Sequence, residues 1–364
     1  MKIKEKISKF LKATLAFTLV GTAAFCVICR LPECFGSEDS AILAAAAFTL
    51  TDGKYRPESS ATEPYSEPER TVKTSSESIE ESKTSRKNPK SRDKSDYYDS
   101  FADHSGEARY AVAENTVTPD GTAVASCYVK NKTGIEFDFG YYLNAPLTFN
   151  VKKNSASPQV LIYHTHTSES YLDEDVDYFY ESYYSRTQNT DYNVVAVGDV
   201  LAETLESKGI KTLHDKTVHD STYNGSYDRS AETVYADMAE NEGIKVVLDI
   251  HRDALGTEDC KVKTVFEHNG KKGAQIMVLS GCDYYGERGF DNWQNNLNFA
   301  MKIQNTAESL YPGMTRPLSF DFFAYNEYIC DGSLLIEVGT DANSIDEVEY
   351  TAELLGNVLA KVLT

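Results

Sequence analysis

The sequence predicts an α/β fold in which a mostly parallel sheet is flanked by helices. Three short apolar runs, at residues 160–163, 246–250 and 334–336, have the length and the β-branched or aromatic character of buried strands. Between the first two runs, apolar residues recur at helical spacing in two segments. This alternation of strand and helix is typical of a parallel sheet that helices cover on both faces.

Residues 1–50 have the charge pattern of a membrane anchor region. Five lysines lie within residues 1–12, residues 13–29 carry no charge, and Arg30 follows them. A basic flank before the apolar run predicts that the amino terminus stays in the cytoplasm and that the rest of the chain lies outside. The run also has the length of a signal peptide, and the small residues at 41–50 would permit cleavage. We favour an uncleaved anchor.

Residues 51–107 are predicted to form a disordered linker. They are rich in Ser, Glu, Lys, Thr, Asp and Pro and contain few apolar residues. Such a segment buries too little apolar surface to offset the entropy that is lost on ordering. The folded domain is therefore predicted to span residues 108–364 and to be held at a distance from the membrane.

The elements of the domain follow in order from its hydrophobic pattern and its turn residues. Extended segments are predicted at 122–130 and 141–150, before the strand at 160, and a long surface loop at 172–193 after it. Helices are predicted from 194 to Gly209, from a cap at Ser230 to Gly243, from Trp293 to Leu310, and after the capping box of Ser344 and Glu347. Residues 263–280 are predicted to form a hairpin that turns at Asn269-Gly270.

Polar residues follow three of the predicted strands at the point where each strand ends. His166 and Glu169 form an H-x-x-E pair after the first strand, and His251 closes the second. Two imidazoles and one carboxylate are a ligand set that catalytic zinc often uses. In the third strand, Glu337 lies among apolar neighbours, which predicts a raised pKa and a role as general base. The carboxyl ends of strands in open α/β sheets are where sites form.

Further residues are predicted to support this site. His164 is expected to make a hydrogen bond there, behind the ligand His166. Arg229 and Arg252 are candidates for binding a substrate carboxylate, with ordinary ion pairs as the alternative. Asp249 either orients a site residue or pairs with Arg252. The remaining histidines of the domain, His214, His219 and His268, are expected on the surface or in loops.

Composition excludes several other classes of function. A formal net charge of −20 would repel a phosphate backbone, so nucleic acid is not an expected partner. The chain has no glycine-rich phosphate loop and no G-x-S-x-G motif. Its domain has no C-x-x-C, which argues against a cysteine-based zinc site and leaves one disulfide open.

Five segments together resemble the stage II sporulation protein P family. They are YHTHTSESY from residue 163, the Val-Gly at 197–198, the GSYDRS segment, DIHRDA at 249–254 and LLIEVGTDANS from residue 334. The resemblance covers roughly residues 155–364, and the basic amino terminus, single anchor and polar tether also fit the layout of that family.

The resemblance implies a fold like that of the zinc-dependent N-acetylmuramoyl-L-alanine amidases and the zinc carboxypeptidases. It places His166 and His251 on the metal and Glu337 at the position of the base. Amidases take their Glu ligand from later in the chain, near Asp191 to Asn193 here, whereas Glu169 has the spacing of the carboxypeptidases. The family further implies zinc as the cofactor, and peptidoglycan and the stage II sporulation proteins D and M as partners.

The implied role is the thinning of septal peptidoglycan during engulfment, outside the cytoplasm at the forespore septum. Two alternatives remain open from the sequence. The first is a zinc endopeptidase that uses the same site on stem peptides or cross-links. The second is a wall-binding module without catalysis, against which the presence of a general base argues.

Overall fold

An eight-stranded sheet forms the centre of the domain in the computed structural model, which describes residues 92, 94 and 96–364. The strands of the described chain are β1 (Arg109–Asn115), β2 (Thr122–Val124), β3 (Cys127–Asn131), β4 (Val160–Tyr163), β5 (Tyr178–Tyr180), β6 (Thr212–His214), β7 (Val246–Asp253), β8 (Cys260–His268), β9 (Lys271–Ala274), β10 (Ile276–Gly281), β11 (Leu318–Asp321) and β12 (Ser333–Thr340). The helices are α1 (Phe139–Asn144), α2 (Val194–Ser207), α3 (Ser226–Glu240), α4 (Trp293–Leu310) and α5 (Ile345–Leu363), with a 3-10 turn at Glu327–Ile329.

The strand order of the large sheet is β2-β3-β11-β10-β12-β7-β4-β6. Five neighbouring pairs are parallel: β3 with β11, β11 with β10, β12 with β7, β7 with β4, and β4 with β6. The pairs β2–β3 and β10–β12 are antiparallel. The predicted α/β class is confirmed, and β4, β7 and β12, the three strands expected to carry the site, are adjacent.

The two faces of this sheet are covered by different helices. Because strand side chains alternate, Val246, Leu248 and Ile250 of β7 point into one core, together with apolar residues of α2, α4 and α5. Val247 lies on the other face, where Leu161 and Tyr163 of β4 pack with Val234 of α3. The first face is closed by three helices, and the second is covered by one helix and by loops.

A second sheet of four strands has the order β5-β1-β8-β9. Strands β8 and β9 form the predicted hairpin, and Asn269 and Gly270 turn it with φ of 52° and 70°. Residues 96–107, which the sequence assigned to the linker, pack beside this sheet. His104, for example, stacks on Tyr180 with ring centroids 4.1 Å apart. The folded part of the chain therefore begins before residue 108.

Helix ends follow local side-chain chemistry. Asn193 caps α2 by accepting the Val195 N–H at 3.0 Å, and the predicted capping box of Ser344 and Glu347 is present at the start of α5. The start of α3 was predicted wrongly, because the helix begins at Ser226, after Gly225 in the left-handed conformation. Ser230 lies inside that helix.

Of the two predicted extended segments, the first is strand but is divided in two, and the second was predicted wrongly. Residues 122–131 form two short antiparallel strands, β2 and β3, and Ala125 in the connection has φ of 52°. The segment from residue 141 begins within helix α1, which Asp138 caps by accepting the Tyr141 N–H at 3.1 Å. Aromatic residues in this stretch favour strands locally, but the cap and packing against α4 select a helix.

The predicted anchor at 13–29 and most of the predicted linker lie outside the described residues. Among residues 96–364, the structure contains no helix whose length and apolar character would suit a membrane span. The described cysteines, Cys127, Cys260, Cys282 and Cys330, are all free thiols.

Candidate active site

The candidate site lies on the face of the sheet that α3 covers, where β7 and β12 run in parallel. Glu337 of β12 is the register partner of His251 of β7, so their side chains lie side by side. Asp249, two residues before His251, shares this face and is paired with Tyr163 at the end of β4. The end of β4 therefore brings the H-x-x-E segment to the same place.

A tight turn follows β4 and sets the position of the H-x-x-E pair. The Glu169 N–H donates to the His166 carbonyl at 3.0 Å. Asp249 fastens this turn, because its two carboxylate oxygens accept the Thr165 N–H at 2.9 Å and the Thr165 hydroxyl at 2.6 Å. Asp249 therefore orients the site and does not pair with Arg252, which resolves the two alternatives left by the sequence.

His166 and His251 come together across this turn. Their ring centroids are 5.3 Å apart and their planes are nearly perpendicular. Both rings are largely buried, with 7% of His166 and 3% of His251 exposed. Burial lowers the pKa of His166, which favours the neutral imidazole that binds metal ions.

Two carboxylates surround His251. Its Nδ1 lies 3.4 Å from Glu169 Oε2, and its Nε2 lies 2.9 Å from Asp249 Oδ1 without the alignment of a hydrogen bond. Burial lowers the pKa of His251, but Asp249 and Glu169 outweigh it and raise that pKa well above its usual value. The pocket around His251 thus favours a positive charge.

Glu169 is held as a carboxylate. Its Oε2 accepts the Arg252 N–H at 3.3 Å, and its Oε1 lies 3.5 Å from the guanidinium of Arg186. Burial raises the pKa of Glu169, but Arg252 and a hydrogen bond with His251 lower it to about 2. Glu169, and not the Asp191–Asn193 stretch, therefore places a carboxylate beside His251. Asn193 is used as the cap of α2.

Glu337 differs from Glu169 and Asp249, because one of its carboxyl oxygens has no hydrogen-bond partner. Its Oε2 is buried and accepts no hydrogen bond. Burial, followed by the charge of Asp253, raises the pKa of Glu337 to about 8. An irregularity in the pairing with β7 follows at once, between Glu337 and Thr340, where Gly339 has φ of 68°. Such bulges occur beside active sites, where they re-aim a side chain.

His164 lies on the opposite face of the sheet. Its Nδ1 is 2.9 Å from the Ile250 carbonyl, and its Nε2 is 2.8 Å from Nε2 of His214. Nδ1 of His214 in turn lies 3.0 Å from Asp199 on α2. A Cβ at Gly198 would approach His164 Nε2 to 2.8 Å, which explains the glycine there. His164 therefore contacts the backbone of Ile250, the residue before His251, and does not reach the site.

The two arginines that were predicted to support the site, Arg229 and Arg252, donate hydrogen bonds to backbone carbonyls. Arg252 donates to the carbonyls of Ser170 at 3.2 Å and Ser185 at 2.7 Å, so it ties the loop after β5 to the site. Arg229 donates to loop carbonyls, among them that of His219 at 2.7 Å. The donors of Arg229 are thus engaged by backbone and not by a carboxylate.

Two of the histidines that were expected on the surface or in loops have largely buried rings, although His219 does lie in the loop between β6 and α3. His219 is 1% exposed, and its Nδ1 and Nε2 lie 2.8 Å and 2.9 Å from the His164 carbonyl and the Thr233 hydroxyl. The ring of His214 is also largely buried, between His164 and Asp199. Both were missed because nothing in their neighbouring sequence marks the tertiary partners that bury them.

Three further residues at the site were not predicted from the sequence. Arg186, from the loop that was predicted to lie beside the site, donates to Asp220 at 2.8 Å and reaches Glu169. Tyr223 stacks on His166 with centroids 4.8 Å apart and planes 6° from parallel. Tyr227 stands edge-on to His166 at 5.7 Å. Of these three residues, only Arg186 lies in the loop at 172–193 that was predicted from the sequence to border the site.

The donor set fits zinc in its chemistry. Two imidazoles and a carboxylate converge, one imidazole nitrogen of His251 has no hydrogen-bond partner, and the charges around it favour a cation. The ligand atoms of His166, Glu169 and His251 are nevertheless not gathered within 4.8 Å of one another. Within residues 96–364, the acidic or histidine group that meets this spacing is Glu114, Asp175 and Glu347.

That acidic cluster is neutralised by lysines. Lys272 lies 2.7 Å from Glu114 and 3.2 Å from Asp175. Lys263 lies 3.3 Å from Glu347 and also pairs with Asp175. The cluster is therefore an ion-pair network that joins the small sheet to the start of α5, and we assign it no metal.

The chain is similar to proteins of known family and structure. The family model described as Stage II sporulation protein P (SpoIIP) matches residues 41–360. Stage II sporulation protein P of Bacillus subtilis (strain 168) is 29% identical over 220 residues, which cover 56% of this chain and 50% of the relative. This chain thus spans about half the length of that relative.

Solved amidase structures also align with the chain. The CwlD amidase from Clostridioides difficile, in complex with the GerS lipoprotein, aligns with 15% identity and a TM-score of 0.35 over 56% of this chain and 98% of its own. The N-acetylmuramoyl-L-alanine amidase AmiC2 of Nostoc punctiforme aligns with 14% identity and a TM-score of 0.33, over 57% and 96%. Because the family model matches most of its length, the chain belongs to the stage II sporulation protein P family.

Proposed function

We propose that this protein is a zinc-dependent N-acetylmuramoyl-L-alanine amidase, which cleaves peptidoglycan between the glycan and the stem peptide. The observation that carries the proposal is the pairing of His251 and Glu337 on adjacent parallel strands. His251 faces His166 and Glu169, and Glu337 has a buried carboxyl oxygen that accepts no hydrogen bond. A metal-binding set next to an uncommitted carboxyl group is the arrangement that metal-assisted hydrolysis requires.

The ligands would be His166, Glu169 and His251. Zinc held there would supply a Lewis acid that polarises the scissile carbonyl and increases the acidity of water. Asp249 keeps the turn that carries His166 in place through Thr165, and Arg252 and Arg186 hold Glu169 in its ionised form. These contacts fix the ligands before substrate binds, which limits reorganisation.

Glu337 would move the proton. Its Oε2 takes a proton from the attacking water and then delivers it to the nitrogen of the departing L-alanine, so one carboxyl group serves as base and then as acid. A pKa of about 8 lies near neutral pH, so the free-energy difference of each proton transfer is small. Tyr223 and Tyr227 border the site through their ring contacts with His166.

The biological setting is proposed from the family and the amino-terminal sequence. Membership of the stage II sporulation protein P family supports a role in thinning septal peptidoglycan during engulfment, with the stage II sporulation proteins D and M as partners. The basic flank and the uncharged run at 13–29 support a single-pass anchor with the domain outside the cytoplasm, at the forespore septum.

The test is to digest muropeptides of defined structure with the purified full chain and to identify the new termini by mass spectrometry. An amidase releases a stem peptide with a free L-alanine amine and leaves the lactyl group on the glycan. We expect this product to form with zinc and to disappear after treatment with a chelator. Cleavage within the stem or a cross-link would instead identify a zinc endopeptidase, and the absence of both products would contradict catalysis.

A further inference from the structure

Tyr171 connects two parts of the candidate site that are distant in the chain. It lies two residues after Glu169, and its side chain is fully buried. Its hydroxyl donates a hydrogen bond to the carbonyl of Val338 at 3.0 Å, and Val338 directly follows Glu337. One residue therefore joins the segment that carries a proposed metal ligand to the strand that carries the proposed base.

The carboxyl group of Glu337 depends on the backbone for its position. Its Oε2 is buried and accepts no hydrogen bond, so no donor fixes that end of the side chain. The neighbouring ligand Glu169 differs, because Arg252 and Arg186 reach both of its carboxylate oxygens. Any contact that fixes the backbone beside Glu337 therefore also decides where its carboxyl group points.

That backbone leaves the regular ladder directly after Glu337. Strand β12 pairs with β7 as far as Glu337 and again at Thr340, and the register shifts between these two residues. Val338 lies within this stretch and has no register partner on β7. A buried carbonyl outside a ladder needs another donor, and the hydroxyl of Tyr171 supplies one.

Tyr171 is itself held by its own backbone groups. Its N–H donates to the Tyr192 carbonyl at 3.0 Å, and its carbonyl accepts a hydrogen bond from the hydroxyl of Tyr97. The ring of Tyr97 in turn stacks on that of Tyr192, with centroids 4.5 Å apart and planes 18° from parallel. The donor that reaches Val338 is therefore fixed before any substrate binds.

We propose that Tyr171 is a positioning residue, which orients the carboxyl group of Glu337 by holding the Val338 carbonyl; this inference rests on the proposed function. Tyr171 does not touch the substrate, because its side chain is fully buried. Without its hydroxyl the Val338 carbonyl loses a donor, and the irregular stretch shifts to replace it. A misplacement of about 1 Å in a reacting group is enough to lower the rate by about 10²-fold.

The test compares Tyr171→Phe with Tyr350→Phe in the purified full chain with zinc. Tyr350 is the matched control, because its hydroxyl also donates to a backbone carbonyl at 3.0 Å, that of His268 on the small sheet. Both variants should lose thermal stability. Only Tyr171→Phe should lower kcat on muropeptides, by about 10- to 100-fold, with KM and zinc content unchanged.

Rescue by a conservative replacement separates orientation of Glu337 from packing. Replacement of Tyr171 by p-aminophenylalanine keeps the ring and an N–H donor at its far end, so it should restore most of the kcat that Tyr171→Phe loses. Wild-type kcat in Tyr171→Phe would overturn the inference, as would an equal fall in Tyr350→Phe. Loss of zinc from Tyr171→Phe would also overturn it, because Tyr171 would then support the metal ligands and not the base.

Tyr97→Phe keeps the inference testable if Tyr171→Phe does not fold. It removes the donor to the Tyr171 carbonyl and leaves the hydroxyl of Tyr171 in place. We expect a fall in kcat that is smaller than 10-fold, again without a change in KM or zinc content. Wild-type kcat in this variant would overturn the inference in that case.

The outcome is separable from that of the proposed function. Crystal structures of the wild type and of the Tyr171 variants show where the carboxyl group of Glu337 lies, whether or not the chain cleaves muropeptides. Displacement of that carboxyl group in Tyr171→Phe, and its return with p-aminophenylalanine, support the inference even without cleavage. An unmoved carboxyl group overturns the inference and leaves the amidase in place.

Discussion

The two faces of the central sheet use the same strands for opposite purposes. On one face, Val246, Leu248 and Ile250 of β7 are fully buried under α2, α4 and α5. On the other face, Asp249 and His251 of the same strand meet charged and polar partners. Because strand side chains alternate, neighbouring residues of β7 belong in turn to the hydrophobic core and to the candidate site.

The difference also shows where charge is tolerated. On the apolar face, His164 is a buried titratable residue that contacts β7. Burial lowers the pKa of His164 to about 3, which keeps the ring neutral. On the site face, several opposite charges offset the desolvation of one another, so Glu169 stays ionised and the pKa of His251 is raised well above its usual value. Substitutions on the two faces should therefore have different effects. Those on the site face should lower activity, and those on the apolar face should lower stability.

The largest effect is expected from the histidines of the site face. His166→Ala or His251→Ala should lose zinc and all measurable activity, because two remaining ligands bind zinc poorly. Metal content per chain and muropeptide turnover measure the loss. His268→Ala, on the small sheet, should keep both. Near-stoichiometric zinc in either site variant would remove that histidine from the ligand set.

The carboxylate ligand can be assigned in the same way. Glu169→Ala should weaken zinc binding, because Glu169 is the carboxylate beside His251. Asp191→Ala should leave zinc bound. The reverse pair of results would place the ligand where the amidases have it.

Glu337→Gln comes next. It removes the basic oxygen but lies outside the proposed ligand set, so zinc should stay bound while turnover falls about 10²- to 10⁴-fold. Glu267→Gln, at an exposed position of β8, should change neither. Full activity with zinc bound would exclude Glu337 as the base, and loss of zinc would make it a ligand.

The opposite face should respond through stability. Leu248→Ala leaves a cavity under α2, α4 and α5 and should lower the free energy of unfolding by about 2–5 kcal/mol. Urea denaturation measures the change, with Tyr235→Ala at an exposed position as the control. A loss below about 1 kcal/mol would mean that this face is not the packed one.

The smallest effect concerns Glu327, which is fully buried next to Gly281 at the end of β10. Its Oε2 accepts the Gly281 N–H, its Oε1 has no partner, and burial raises its pKa well above the usual value. The unfolded chain therefore loses this proton first as the pH rises through about 4.5, so the wild type loses stability from there towards neutral pH.

Glu327→Gln removes this titration. The variant should match the wild type near pH 4 and have a higher free energy of unfolding than the wild type at pH 7. Urea denaturation at both values is the measurement, and Glu258→Gln at an exposed position is the control. A variant that is less stable at pH 7 would mean that the charged form of Glu327 is stabilised in the folded protein.

The sequence by itself determined the local features of this protein. The central strands, the turn between His166 and Glu169, the hairpin at Asn269-Gly270 and the capping box of α5 are each set by residues a few positions apart. Their periodicity and hydrogen bonds are therefore visible in the sequence. The candidate residues His166, His251 and Glu337 follow from the same logic, because each departs from an apolar run.

Only the tertiary structure decided which partners these residues meet. Thr165 and Asp249, which are 84 residues apart, form the clamp that orients the site, and the donors of Arg229 and Arg252 are engaged by loop backbone. The burial of His219 likewise depends on segments that the fold brings together. Such contacts leave no local periodicity, because their energy depends on the burial and charge of residues that are distant in the chain.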